Sequence, residues 1–80
     1  MRTISKNELD EILEKHKQWL QDSSKGERAI LKATDLSGFD LVGVNLQCAN
    51  LQDAYLQGAD MKYANLRGAN LRGANLHSPI

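Results

Sequence analysis

Two hydrophobic rhythms divide the chain. From Ser5 to Asp22, apolar residues fall at Leu9, Ile12, Leu13 and Leu20, with His16 filling the intermediate turn and Trp19 at its edge. That is the spacing of an amphipathic helix. From Ala29 onward the interval is five: Leu31, Leu36, Leu41, Leu46, Leu51, Leu56, Met61, Leu66, Leu71 and Leu76 are in phase. Two residues ahead of each stands a mostly small one, at Ala29, Thr34, Phe39, Val44, Ala49, Ala54, Ala59, Ala64, Ala69 and Ala74.

Five fits neither common period. On an α-helix, residues five apart are rotated by roughly 140° and spread around the cylinder. On a flat strand an odd interval sends each leucine to the face opposite its predecessor. A chain that turns a corner inside every unit can aim each leucine at one axis, so the repeat predicts a β-solenoid. Alternation puts the small residues on the leucine side and leaves Asp35, Asp40, Asn45, Asn50, Tyr55, Asp60, Asn65, Asn70 and Asn75 facing water. Gly38, Gly58, Gly68 and Gly73 follow two residues after a central position, where a corner needs unusual dihedrals.

Spelled out from Ala59 to Ala74, the pattern A(D/N)LxG resembles the pentapeptide repeat family over about residues 29–76. The resemblance implies a mainly β fold: a right-handed quadrilateral β-helix, one unit per side and four per coil, here about two and a half coils. Three segments of one domain follow: a capping helix and linker at 1–28, the solenoid at 29–76 and a tail at 77–80. Residues twenty apart would then share a column, pairing Asp40 with Asp60, Asn45 with Asn65 and Asn50 with Asn70. The asparagine pairs are expected to form side-chain ladders.

The helix start is well specified. Ser5 and Glu8 form a capping box, and Ile4 and Leu9 stand at the positions of a hydrophobic staple. Gly26 in "SSKGE" is expected to take the left-handed turn that ends the helix. A solenoid exposes core and unpaired backbone at both ends, so the helix is expected to lid the first coil, with Phe39 and Val44 enlarged where the two meet. "HSPI" is too short for a second lid. A homodimer through Leu71, Leu76, His77, Pro79 and Ile80 is therefore expected, the rods end to end.

Composition narrows the function classes. Ten lysines and arginines balance ten aspartates and glutamates, so the total charge gives no sign of nucleic-acid binding. No apolar run is long enough for a membrane span or signal peptide, and the expected location is the cytoplasm. The single cysteine, Cys48, agrees with a reducing compartment and reads as a corner thiol with no base beside it. His16 and His77 have no ligand partners at metal spacing, so no metal or cofactor is expected. The Asp40–Asp60 pair invites a glycosidase reading, but a convex rod offers no cleft.

A binding protein is expected, not an enzyme. Glu8, Asp10, Glu11 and Glu14 on the helix and Asp35, Asp40, Asp53 and Asp60 on the coil form a candidate acidic surface, with Lys62, Arg67, Arg72 and His77 toward the other end. Trp19, Tyr55 and Tyr63 are candidate aromatic contacts. Several pentapeptide repeat proteins mimic duplex DNA and occupy the DNA site of an enzyme such as gyrase. By that resemblance the acids would stand in for phosphates in a small inhibitor of a DNA-binding protein, of the kind phages use against restriction or CRISPR systems. The alternative is an interaction scaffold without mimicry, held by its aromatic residues. Direct binding of nucleic acid by the basic end is a third reading, and few cations support it.

Overall fold

In the computed structural model, which describes residues 1–76, the backbone pairs with itself twenty residues further on. Parallel bridges join Ile30 to Asn50, Asp35 to Tyr55, Asp40 to Asp60, Asn45 to Asn65, Asn50 to Asn70 and Tyr55 to Asn75. Each coil of this β-solenoid therefore holds four five-residue units. The hydrogen bonds repeat with the coil. Leu31 N–H donates to the Asn50 carbonyl at 2.7 Å, and Asn50 N–H donates back to the Ala29 carbonyl at 3.0 Å. One coil on, Leu51 N–H donates to Asn70 at 2.8 Å.

Every unit ends in a tight turn. The carbonyl of the central residue accepts from the N–H three residues on, as from Ala54 to Leu51 and from Ala64 to Met61, both at 3.0 Å. The third residue of the turn has positive φ, which is the type II arrangement. Glycine supplies it at Gly38 and Gly58, with φ of 72° and 75°. Ala33, Cys48, Asp53 and Tyr63 adopt the same conformation, at 52°, 63°, 59° and 61°. The corner is imposed by the coil even where the residue disfavours it.

The core is the column of central residues with the small ones beside them. Leu31, Leu36, Leu41, Leu46 and Leu51 are fully buried, as are Ala49, Ala54 and Thr34. Met61, Leu66 and Leu71 are half-buried against that cluster. Leu76, expected inward from its phase, is 40% exposed. No described residue continues the stack beyond it.

At the amino end, β1 (Arg2–Thr3) is followed by α1 (Lys6–Gln21), and β1 pairs in parallel with β2 (Thr34–Asp35) in the first coil. Ser5 caps α1: its hydroxyl accepts from Glu8 N–H at 3.1 Å, and the Glu8 carboxylate accepts from Ser5 N–H at 3.3 Å. Leu9 is buried, and Ile4, Ile12 and Leu13 pack against the same core. The helix is thus a lid on the first coil. Val44 lines a groove beside Leu13, at the junction expected for an enlarged small position.

Gly26 does not end α1, contrary to the sequence expectation. The cap is Asp22 in an extended conformation, its N–H on the Gln18 carbonyl and its carboxylate on the amide and hydroxyl of Ser24. Gly26 instead lies flat against the helix: a Cβ there would meet the Lys15 carbonyl, and Glu27 N–H donates to that same oxygen at 3.1 Å. Its left-handed φ of 61° turns the chain back into the first coil.

Candidate interaction surface

The outward Asp and Asn side chains are mostly occupied with their own backbone. Asp35, Asp40, Asn45, Asn50, Asp60, Asn65 and Asn70 each accept, through Oδ1, from the N–H two residues on, at 2.9 to 3.2 Å. This is the Asx turn, and it satisfies a corner amide that no rung reaches. The expected asparagine ladder is therefore corrected: the side-chain oxygens are committed locally, and stacking follows from backbone pairing. Tyr55 stands in one of these positions without a short oxygen to offer Gln57. It breaks the local rule and is 43% exposed, in the column Asp35, Tyr55, Asn75.

Tyr63 departs more sharply. It is 89% exposed and holds a corner that glycine fills one coil earlier at Gly43. Non-glycine residues in this conformation are disfavoured, and such positions concentrate at functional sites. Tyr55 and Tyr63 lie in different columns. Trp19 is half-buried and stacks on the His16 ring, with centroids 5.7 Å apart. The three aromatic candidates are not one patch.

Six of the eight acidic candidates fall into three pairs. Asp10 and Glu14, with Leu13 and Lys17, line a groove against Gly43, Val44 and Asn45, one coil above the Tyr63 corner. Asp40 and Asp60, stacked by their bridge, stand on the wall leading into that corner, beside the exposed Val42. Glu8 and Glu11 line a second groove of about 340 Å³ with Arg2, Lys15, Glu27, Arg28 and Ile30, where charges of both signs meet. Asp35 and Asp53 follow separately, the latter at a left-handed corner beneath Gly73. The Ser37 hydroxyl and amide hold Asp35 below the usual carboxylate range.

Basic residues and one histidine close the amino-terminal edge, a role the sequence pattern did not reveal. Arg2 Nη1 donates to the Ile30 carbonyl at 2.8 Å, and Arg28 Nε to the Cys48 carbonyl at 2.7 Å. His16, expected at the lid boundary, is fully buried, its ring nitrogens 2.9 Å from Ala29 N and 2.8 Å from the Gln47 carbonyl. Burial lowers its pKa, the Gln47 bond opposes this, and the Arg28 charge adds to the lowering. Cys48 is an exposed free thiol on a corner.

Among the described residues, no group of three or more His, Cys, Asp or Glu side chains could hold a metal ion. No helix there is long and apolar enough to cross a membrane. Of the expected dimer residues, Leu71 is half-buried and Leu76 exposed, while His77, Pro79 and Ile80 lie outside the described residues.

A parallel solenoid of five-residue units, lidded by a helix and carrying its variation on outer walls and corners, defines a class of protein-interaction modules. Residues 27–62 and 49–78 match the model for pentapeptide repeats, in eight copies, and the chain belongs to the pentapeptide repeat family. Neither the curated proteins nor the solved structures yielded a match.

Proposed function

We propose that this chain is a non-enzymatic module that holds a protein partner against the wall ending at Tyr63. The observation that carries the reading is Tyr63 itself, an aromatic side chain 89% exposed on a left-handed corner, next to the exposed Val42 and the stacked Asp40 and Asp60. An aromatic anchor rimmed by charge is the usual make-up of an interface centre. In the more specific form of the proposal, Asp10, Glu14, Asp40 and Asp60 stand in for phosphates and the partner is a DNA-binding protein, inhibited by occupation of its nucleic-acid site. Their position on the flank that carries Tyr63 supports this form.

Lys6, 3.4 Å from Asp10, and Lys17 and Lys62 interleave with these acids. The scaffold form, with Tyr63 dominant and charge secondary, is supported by that interleaving. The test is capture of the partner from the native host, followed by titration. Mimicry requires binding that weakens steeply with salt, is competed by duplex DNA and is lost in Asp40→Asn/Asp60→Asn. Salt-insensitive binding lost in Tyr63→Gly supports the scaffold, and binding indifferent to both substitutions rejects this surface.

Two structural proposals accompany this reading. The twenty-residue register supports a quadrilateral path for the coil, and its right hand is what the family implies. The half-buried Leu66 and Leu71 and the exposed Leu76 support end-to-end pairing of two copies, checked by sedimentation equilibrium.

A further inference from the structure

His16 is the one buried titratable side chain among the described residues, and both of its ring nitrogens are committed to the coil. An amide N–H can only donate, so the bond from Ala29 leaves Nδ1 without a proton. The ring proton is then on Nε2, which donates to the Gln47 carbonyl at 2.8 Å. One neutral tautomer thus satisfies an amide at the start of the first coil and a carbonyl eighteen residues further along the same turn of the solenoid. Because His16 belongs to α1, these two bonds tie the lid to the rod. Trp19, one helical turn on, stacks over the same ring with an interplanar angle of 17°.

Protonation cannot be accommodated in place. The imidazolium presents N–H at both nitrogens, so Nδ1–H would face Ala29 N–H, donor against donor, in a site closed to water. The surrounding charge also resists it. Arg28, fixed on the Cys48 carbonyl, places a positive charge toward the ring. On α1, the exposed Lys15 is paired with Glu27 of the linker at 3.8 Å, and Lys17 lines the groove beside Asp10 and Glu14. From the coil, the groups presented to the ring are the Ala29 amide and the Gln47 carbonyl, and Cys48 beside them is an exposed thiol.

We propose that His16 is an acid-sensitive latch: neutral, it locks α1 onto the first coil, and protonated, it releases the carboxy-terminal half of the helix from the rod. Burial and the Arg28 charge set the point of release below the ordinary histidine value of 6.5. A consequence that rests on the function proposed above is that release also moves Glu14 away from the Tyr63 flank. The latch itself is measurable without any partner.

The experiment uses the full chain with His77→Ala, so that His16 is the only histidine, and follows it from pH 7.5 to 4.5. The fluorescence of Trp19, the single tryptophan, and hydrogen exchange at the Ala29 amide, corrected for intrinsic pH dependence, are recorded together. Loss of at least tenfold in Ala29 protection, with a matching Trp19 transition whose midpoint lies below 6.5, is expected. In His16→Gln, whose amide can accept and donate at the same two places, both profiles should be flat. Unchanged signals in the starting protein, or the same transition surviving in His16→Gln, would overturn the latch. Nitrogen NMR at pH 7.5 supplies a check that needs no substitution of His16. A proton on Nδ1 would overturn the proposal, and a bare Nδ1 with protonated Nε2 supports it.

Discussion

Tyr63 takes the same left-handed backbone as Gly43, the corner residue one coil before it, with φ of 61° against 69°. Glycine adopts this conformation freely, whereas a residue with a Cβ is strained by about 1–2 kcal/mol. Tyr63→Gly should therefore stabilise the protein by about 0.5–1 kcal/mol, once the extra freedom of glycine in the unfolded chain is subtracted. Urea unfolding followed by circular dichroism measures this. A gain in stability together with loss of partner binding would separate the interface role of the tyrosine from any role in the fold.

The Asx turns give a second, paired test. Asn65 Oδ1 accepts from Arg67 N–H at 3.1 Å, and Asn65→Ala should cost about 1 kcal/mol through the lost bond. Tyr55→Asn should act in the opposite direction, because it supplies the missing acceptor to Gln57. Equal effects of the two substitutions in urea melts would mean that these bonds contribute little to the coil.

Gly26 should be among the least replaceable positions in the linker. Its φ of 61° disfavours any side chain, and a Cβ would press on the Lys15 carbonyl and the Gln18 side chain. Gly26→Ala is expected to cost about 2 kcal/mol or more, from strain plus the displaced Glu27–Lys15 bond. Thermal unfolding would reveal it. Gly38→Ala, at an open corner with no atom within 4 Å of the added Cβ, should cost only the dihedral strain of about 1 kcal/mol.

Stability should fall with acid in two separate windows. His16 has a lowered pKa in the folded state, so between that value and 6.5 the unfolded chain binds more protons. Its contribution is complete above 6.5 and declines as the pH drops through this range. Asp22 is held low by the Ser24 amide and then by its hydroxyl, and Asp35 by Ser37. Their contributions are complete above 3.8 and are lost as the pH falls below it toward their folded values. Denaturant midpoints measured across pH should show the first decline vanish in His16→Gln while the second remains.

Much of the fold was legible because its instructions are local. The five-residue phase identifies the inward column from Leu31 to Leu56, and the Ser5–Glu8 box marks the first turn of α1. What was missed depends on partners distant in the chain. Arg2 and Thr3 carry no strand pattern, and their pairing with Thr34 and Asp35 exists only after the coil has formed. His16 in an apolar stripe resembles filler, since Gln47 lies thirty-one residues away. Gly26 misled for another reason: glycine signals a left-handed residue without saying whether a helix ends there or a chain passes close by. The acidic list looked like one surface because linear order does not show which wall an outward side chain joins.

The backbone closure at the amino-terminal edge limits how copies can aggregate. With β1 laid against the first coil and Arg2, His16 and Arg28 seated on the Ile30, Gln47 and Cys48 carbonyls, those groups of the first coil are closed to an incoming strand. Head-to-tail polymers need a receptive surface at both poles. In the end-to-end pairing proposed above, a molecule closed at one pole would join its copy tail to tail and stop at the pair.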